Sequence, residues 1–356
     1  MGRPQIQRRV ETLPYSSYAD PAVATAEQER IFHRSWQYVG HLGELHGPGS
    51  MFPTHVGGLP LLVVLDRDES LRAFLNVCRH RGTMLVSEPQ QRGTIQCPYH
   101  AWTYGLDGSL RGAPRSDEEP GFDMSCLGLV PVQVDSWGPF VFANPDAEAP
   151  GLDVALGDMP DVVAQNGLDV DALRFHHRVH LEINANWKIA IENYLECYHC
   201  QLNHPGFVKL IDERAQRTDV AGLRLSQFPP VHPDAHTDAA PYDVTGSVPN
   251  AQYHVLFPAM KFNVNPGRPN LSIGPMWPLA TDRTAASLDY FFAEGTDEAW
   301  IQEMLAFDDQ VGAEDTGLVE AVQRGVVSGA LPHGRLLTKP EALIGAFQDI
   351  VRAHLA

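Results

Sequence analysis

Residues 192–204 read Glu-Asn-Tyr-Leu-Glu-Cys-Tyr-His-Cys-Gln-Leu-Asn-His and place two histidines, His199 and His204, five positions apart. On an ideal helix five residues rotate about 140° beyond one full turn, so both imidazoles can face one ion only where the helix distorts or ends. Pro205 and Gly206 follow at once and supply that end. Two neutral imidazoles and one carboxylate hold a metal on one face and leave the other open, the arrangement of non-haem Fe(II) oxygenases. The carboxylate has to come from elsewhere in the chain. Cys197 and Cys200 flank His199 and taken alone would also suit zinc, although zinc would need two further ligands and none stands nearby.

About a hundred residues upstream, Cys78-Arg79-His80-Arg81-Gly82 and Cys97-Pro98-Tyr99-His100-Ala101-Trp102 each offer one thiolate and one imidazole, with sixteen residues between His80 and Cys97. That stoichiometry suits a [2Fe-2S] cluster in which two Cys hold one iron and two His the other. Replacing two thiolates by neutral imidazoles makes the cluster less negative and raises its potential, as an acceptor of electrons from a ferredoxin-type donor requires. A structural zinc site is the alternative.

A chain of 356 residues is long enough for two domains, and 44% hydrophobic with 20% charged residues is ordinary for a globular protein. A net charge of −18 argues against nucleic-acid or anionic-membrane partners. With no apolar run long enough to span a bilayer and a polar opening stretch, 1–9, a cytoplasmic location is expected. The odd set Cys78, Cys97, Cys126, Cys197 and Cys200 reads as metal ligands or buried thiols rather than a disulfide framework.

The elements that would position these groups follow from patterning. Residues 20–38, with Pro21 at the start and Ile31, Phe32, Trp36 and Tyr38 beyond it, predict an amphipathic helix. Runs 59–65 and 71–77 around the turn 66–70 predict a hairpin, and with the run 137–145 they close a small β domain of roughly a hundred residues. Residues 226–250 read as loop. Strands return at 253–258, 261–265, 270–278 and 286–292, lining a pocket to which Phe257, Phe262 and Trp277 are candidate contributors. Residues 297–327 carry an apolar helical stripe and four acids, Asp308, Asp309, Glu314 and Asp315.

The two Cys/His loops, together with Asn186-Trp187-Lys188 leading into Glu192-Asn193-Tyr194-Leu195-Glu196-Cys197-Tyr198-His199 and His204, resemble the Rieske-type non-haem iron ring-hydroxylating oxygenases, α (terminal oxygenase) subunit. The resemblance spans nearly the whole chain. It implies an α+β fold in which a Rieske β domain (40–150) is inserted in a helix-grip catalytic domain, an antiparallel sheet around a long helix, formed by 1–39 and 151–356. Carried over residue by residue, it implies that Cys78, His80, Cys97 and His100 hold the [2Fe-2S] cluster, and that His199, His204 and Asp315 hold mononuclear Fe(II), with Asp309 second to Asp315. The other acids would then sit on a solvated helix face. Glu196 is implied to bridge the cluster of one subunit to the iron of the next, through His100 across the interface and His199 within the chain, with Asn193 beside it as a second catalytic candidate. A homotrimer, with or without β subunits, is implied as well.

The resemblance further implies O2 as co-substrate and electrons from NAD(P)H through a separate ferredoxin or flavin reductase, since the chain has no Gly-x-Gly-x-x-Gly fingerprint of its own. Arg79, Arg81, Arg92, Arg111 and Arg115 against Glu88 and Asp107 predict a positive patch for an acidic donor. A glutamate at the bridge, the Glu-Cys-Tyr-His-Cys run and the short length are similar to the carnitine, choline and betaine monooxygenase branch. The small-molecule substrate is therefore expected to be a quaternary ammonium compound, hydroxylated or demethylated. An aromatic acid or secondary metabolite is the alternative substrate, and an electron carrier without working mononuclear iron the alternative class.

Overall fold

The protein is described by a computed structural model over residues 10–237 and 240–356; the polar opening stretch 1–9 lies outside them. Among the described residues no helix is long and apolar enough to cross a membrane. Two compact units divide the chain, with Phe32–Leu152 inserted in sequence between Met1–Ile31 and Asp153–Ala356.

The inserted unit is antiparallel β. Its larger sheet runs, edge to edge, Gln37–His41, Phe140–Asn144, Pro131–Trp137, Leu71–Leu75, Leu59–Leu65, Ser50–Val56 and Gln90–Gln91. A smaller one joins Ile95–Gln96, Thr103–Tyr104 and Leu110–Gly112. Successive residues of a strand face opposite ways, so Leu62 and Val64 pack with Phe74, Ile95 and Tyr104, while Leu61 and Val63 pack with Ala73 and Val141. Cys78 and Cys97 belong to the first of these cores. The predicted hairpin forms, with Leu65 opposite Leu71. The predicted helix over 20–38 does not: it spans only Pro21–Arg30, and Tyr38 enters a strand opposite Phe142, packed edge-on to it. The aromatic positions follow the pleat of that strand rather than a helical face.

In the larger unit a seven-stranded antiparallel sheet runs Leu173–Ile183, Arg283–Ala293, Asn270–Ala280, Met260–Val264, Gln252–Leu256, Arg224–Phe228 and Arg217–Ala221. The hairpin 217–228 and the strand Leu173–Ile183 were not foreseen, because their polar residues mask the period of two. Against the sheet lies the 30-residue helix Glu298–Val327, capped by Asp297, whose side chain accepts from the Trp300 amide at 3.0 Å. This is the expected helix grip. Phe257, Phe262 and Trp277 do not line its cavity; Phe262 points through the opposite face of its strand, and Phe257 packs on Phe347 and His354.

The Asn186-Trp187-Lys188 run is an anchoring device. Asn186 caps the helix Trp187–Tyr194 at the Lys188 amide and donates to the Tyr18 and Thr281 carbonyls. Trp187 Nε1 and Lys188 Nζ both donate to buried Glu27, at 2.8 and 2.5 Å. One turn on, Glu192 accepts from Tyr18 Oη at 2.8 Å and Gln348 Nε2 at 3.0 Å. Burial outweighs these bonds and pushes its carboxyl up to about 7 from 4.5. Between those values the folded chain holds a proton that the unfolded chain has released, so stability falls as pH rises through the window, by on the order of 3 kcal/mol. Glu192→Gln is expected to flatten that loss. Melting temperatures of both proteins from pH 4 to 8 check it; parallel curves would refute the assignment.

Candidate active site

The two Cys/His loops share one backbone design. Gly82 N–H donates to the Cys78 carbonyl at 3.0 Å and Ala101 N–H to the Cys97 carbonyl at 3.1 Å. The fifth residue of each turn has positive φ, 75° at Gly82 and 57° at Ala101. Glycine takes this conformation freely. The thiols are 2% exposed, whereas His80 and His100 are exposed with ring centroids 4.8 Å apart. Trp102 stacks on His80 at 4.9 Å. Tyr104 Oη lies 3.3 Å from Cys78 Sγ, and such hydrogen bonds to sulfur tune cluster potential. Burial raises the Cys97 thiol, but hydrogen bonds from the Tyr99 and His100 backbone outweigh it and favour thiolate. Buried thiols behind and imidazoles in front fit a cluster with one iron on each pair.

Of the five arginines, Arg111 is paired with Asp107 at 2.8 Å and Arg115 with Glu118 at 3.0 Å. The predicted patch therefore narrows to Arg79, Arg81 and Arg92, which have no ion pair among the described residues. Arg81 lies over the Tyr99 ring at 5.3 Å.

In the larger unit, the helix Trp187–Tyr194 ends at Leu195, and the four-residue turn Cys200–Asn203 follows with His199 as its N-cap and His204 as its C-cap. The break allows both imidazoles to turn inward. His199 Nε2 and His204 Nε2 stand 3.1 Å apart, and Asp315 Oδ1 lies 3.3 and 3.0 Å from them. Three donors on one face of an ion, each about 2.1 Å from it, are separated by about 3 Å. These three residues form a group that could hold one metal ion. Asn193 Nδ2 donates to Asp315 Oδ1 at 2.8 Å.

Each imidazole is oriented from behind by a carboxylate. Glu196 Oε1 is 2.5 Å from His199 Nδ1, and its other oxygen accepts from the Tyr198 and His199 amides. Glu314 Oε2 is 2.7 Å from His204 Nδ1. Carboxylates so placed fix the tautomer that presents Nε2 to the ion. Burial depresses the imidazoles, yet the hydrogen bonds of Asp315 and Glu196 push His199 up to about 9, and those of Asp315 and Glu314 raise His204. Burial would raise Asp315, yet the two imidazoles and Asn193 hold it well below the usual carboxylate range. Three carboxylates around two imidazoles demand positive charge, and a divalent ion supplies it in place of protons.

Glu314 and Asp308 correct the expected solvated face. Glu314 binds His204, and Asp308 accepts from Tyr290 Oη at the wall of a cavity of about 600 Å³. Asp309 is exposed. Cys197 and Cys200 form a disulfide, contrary to the expected free thiols; the turn brings their Cα atoms to 4.9 Å. Lys261, Tyr253 and Tyr290 also line the cavity and escaped the sequence reading, since strand texture does not distinguish its two faces, and Phe307 joins them from the apolar stripe of the long helix.

The chain is similar to known proteins over nearly its whole length. Residues 170–356 match the ring hydroxylating alpha subunit (catalytic domain) and residues 35–133 the Rieske [2Fe-2S] domain. The carnitine monooxygenase oxygenase subunit of Acinetobacter pittii (strain PHEA-2) is 32% identical, over 96% of this chain and 94% of that protein. The chloroplastic choline monooxygenase of Spinacia oleracea is 32% identical, over 94% of this chain and 76% of that protein. A crystal structure of the quaternary ammonium Rieske monooxygenase CntA with its substrate L-carnitine is 29% identical with a TM-score of 0.86, covering 100% of both chains. Two metal-binding units in this order, and relatives alike over nearly their full length, make this chain a member of the Rieske ring-hydroxylating oxygenase alpha-subunit family, an oxidoreductase.

Proposed function

We propose that this chain is the terminal oxygenase of a Rieske system that hydroxylates or oxidatively demethylates a quaternary ammonium compound. The observation that carries the class is the His199, His204 and Asp315 triangle with one face open to the cavity. When bound, the cluster and the mononuclear iron supply one-electron transfer and activation of O2. Cys78, His80, Cys97 and His100 hold the former, and His199, His204 and Asp315 the latter. Asn193 steadies Asp315, and Glu314 steadies His204.

Glu196 keeps the Nδ1 proton on His199 and extends toward His100 of the partner subunit. Tyr198 and Leu202, 65% and 87% exposed beside it, support burial of this surface against a second copy in a homotrimer. Electrons come from an NAD(P)H-dependent ferredoxin or flavin reductase, for which Arg79 and Arg81, on either side of His80, and Arg92 are the docking cations. For the substrate, Phe207, Tyr253, Tyr290 and Phe307 give the cavity aromatic walls with Asp308 among them, and a desolvated quaternary ammonium group is attracted to such walls.

The test is iron and acid-labile sulfide per chain of anaerobically purified protein, with the EPR spectrum after dithionite reduction, followed by a screen of quaternary amines. About three irons and two sulfides with a Rieske-type signal are expected from the two ligand sets. Two irons would leave an electron carrier. Zinc without sulfide would overturn the proposal.

A further inference from the structure

The strand Met260–Val264 and its continuation divide by side. Met260, Phe262 and Val264 are fully buried on one face, while Lys261, Asn263 and Asn265 line the cavity on the other. The two asparagines are already engaged: Asn263 accepts from Tyr194 Oη and donates to Ser272 Oγ, and Asn265 accepts from Tyr253 Oη. The Lys261 ammonium is not. Among the described residues it has no hydrogen bond and no carboxylate within ion-pair distance, and its Nζ lies over the Tyr194 ring, 5.2 Å from the centroid. It is also the one lysine or arginine of the cavity lining. The nearby carboxylates are otherwise occupied, Asp308 by Tyr290 and Asp315 by His199, His204 and Asn193.

An ammonium walled into a cavity with no carboxylate in ion-pair contact, offset at longer range by Asp308 and Asp315, is costly, and a ligand that brings an anion to it is favoured over one that carries a cation alone. We propose that Lys261 is a specificity-determining residue that binds the carboxylate of the substrate, so that the enzyme takes zwitterionic betaines and discriminates against choline-like cations that lack an acid. The proposal rests on the quaternary ammonium reading and deepens it, placing the cationic end against the aromatic wall and the acidic end at Lys261.

The experiment measures anaerobic binding of three probes to the iron-loaded trimer by calorimetry. They are γ-butyrobetaine, choline, and the carbon isostere of γ-butyrobetaine in which a tert-butyl group replaces trimethylammonium. Each is titrated into wild type, Lys261→Met and Lys261→Arg, with the visible spectrum and iron content confirming the fold. The expected result is a Kd for γ-butyrobetaine about 10- to 100-fold weaker in Lys261→Met, the loss of one charged hydrogen bond. Lys261→Arg restores most of it, and choline binds Lys261→Met no more weakly than wild type.

Equal affinity of wild type and Lys261→Met for both carboxylates overturns the proposal, as does failure of wild type to bind any probe. If choline and γ-butyrobetaine bind alike in every variant, the quaternary ammonium reading stands and the role of Lys261 falls. If only the isostere binds, and does so through Lys261, the role of Lys261 stands and the ammonium reading falls.

Discussion

Asp315→Ala is expected to abolish substrate oxidation and to lower the iron content from about three to about two per chain while the visible spectrum of the cluster stays unchanged. Among the described residues its Oδ1 is the one carboxylate atom within 3.3 Å of both imidazole Nε2 atoms. Without it two neutral donors remain, too few to retain a divalent ion on an open face. Cys78, His80, Cys97 and His100 lie in the separate unit Phe32–Leu152, so their cluster has no reason to follow. Asp309→Asn is the matched control for iron content, because Asp309 lines the same cavity but has no bond to either histidine. Colorimetric iron and the absorption spectrum of both variants decide the point. Loss of the cluster in Asp315→Ala would mean that a residue required for folding had been mistaken for a ligand.

Glu196→Gln is expected to cut product formation about 100-fold, at the upper end for an outer-shell carboxylate, with iron and cluster contents close to wild type. The side chain is held by the Tyr198 and His199 amides as well as by His199 Nδ1, so the amide variant keeps its place but loses its charge. The reading that separates a bridge from a mere orienting group is single turnover of pre-reduced protein. Oxidation of the cluster on adding substrate and O2 should slow by the same factor as product formation. Normal oxidation of the cluster with low product would leave Glu196 as an orienting group only.

Where ligands are close in sequence, the chain could be read directly. The turns that present Cys78 with His80 and Cys97 with His100 are set by local hydrogen bonds and by a positive φ that Gly82 adopts freely. The break that turns His199 and His204 inward is written in Pro205 and the short turn before it. The helix over 20–38 failed because aromatic spacing in a chain of mixed period does not declare which period applies. The disulfide between Cys197 and Cys200 was passed over on compartment grounds, although the turn sets their Cα atoms only 4.9 Å apart.

The sequence by itself determined the donor types and therefore the chemistry: thiolates with imidazoles at one site, and two imidazoles awaiting a carboxylate at the other. Residue spacing left four acids open, between which a family resemblance favoured Asp315, and only the tertiary structure shows which of them stands beside both imidazoles. The helix Glu298–Val327 carries four candidates within two turns, and its own propensity treats them alike. Packing against the segment 193–204 turns Asp315 toward both imidazoles and Glu314 toward the far side of one, 111 and 110 residues from His204 along the chain. The same holds for Lys261, whose face of the strand is assigned to the cavity by the sheet and by nothing in its local sequence. Local spacing sets what a residue can bind, and long-range packing sets what it meets.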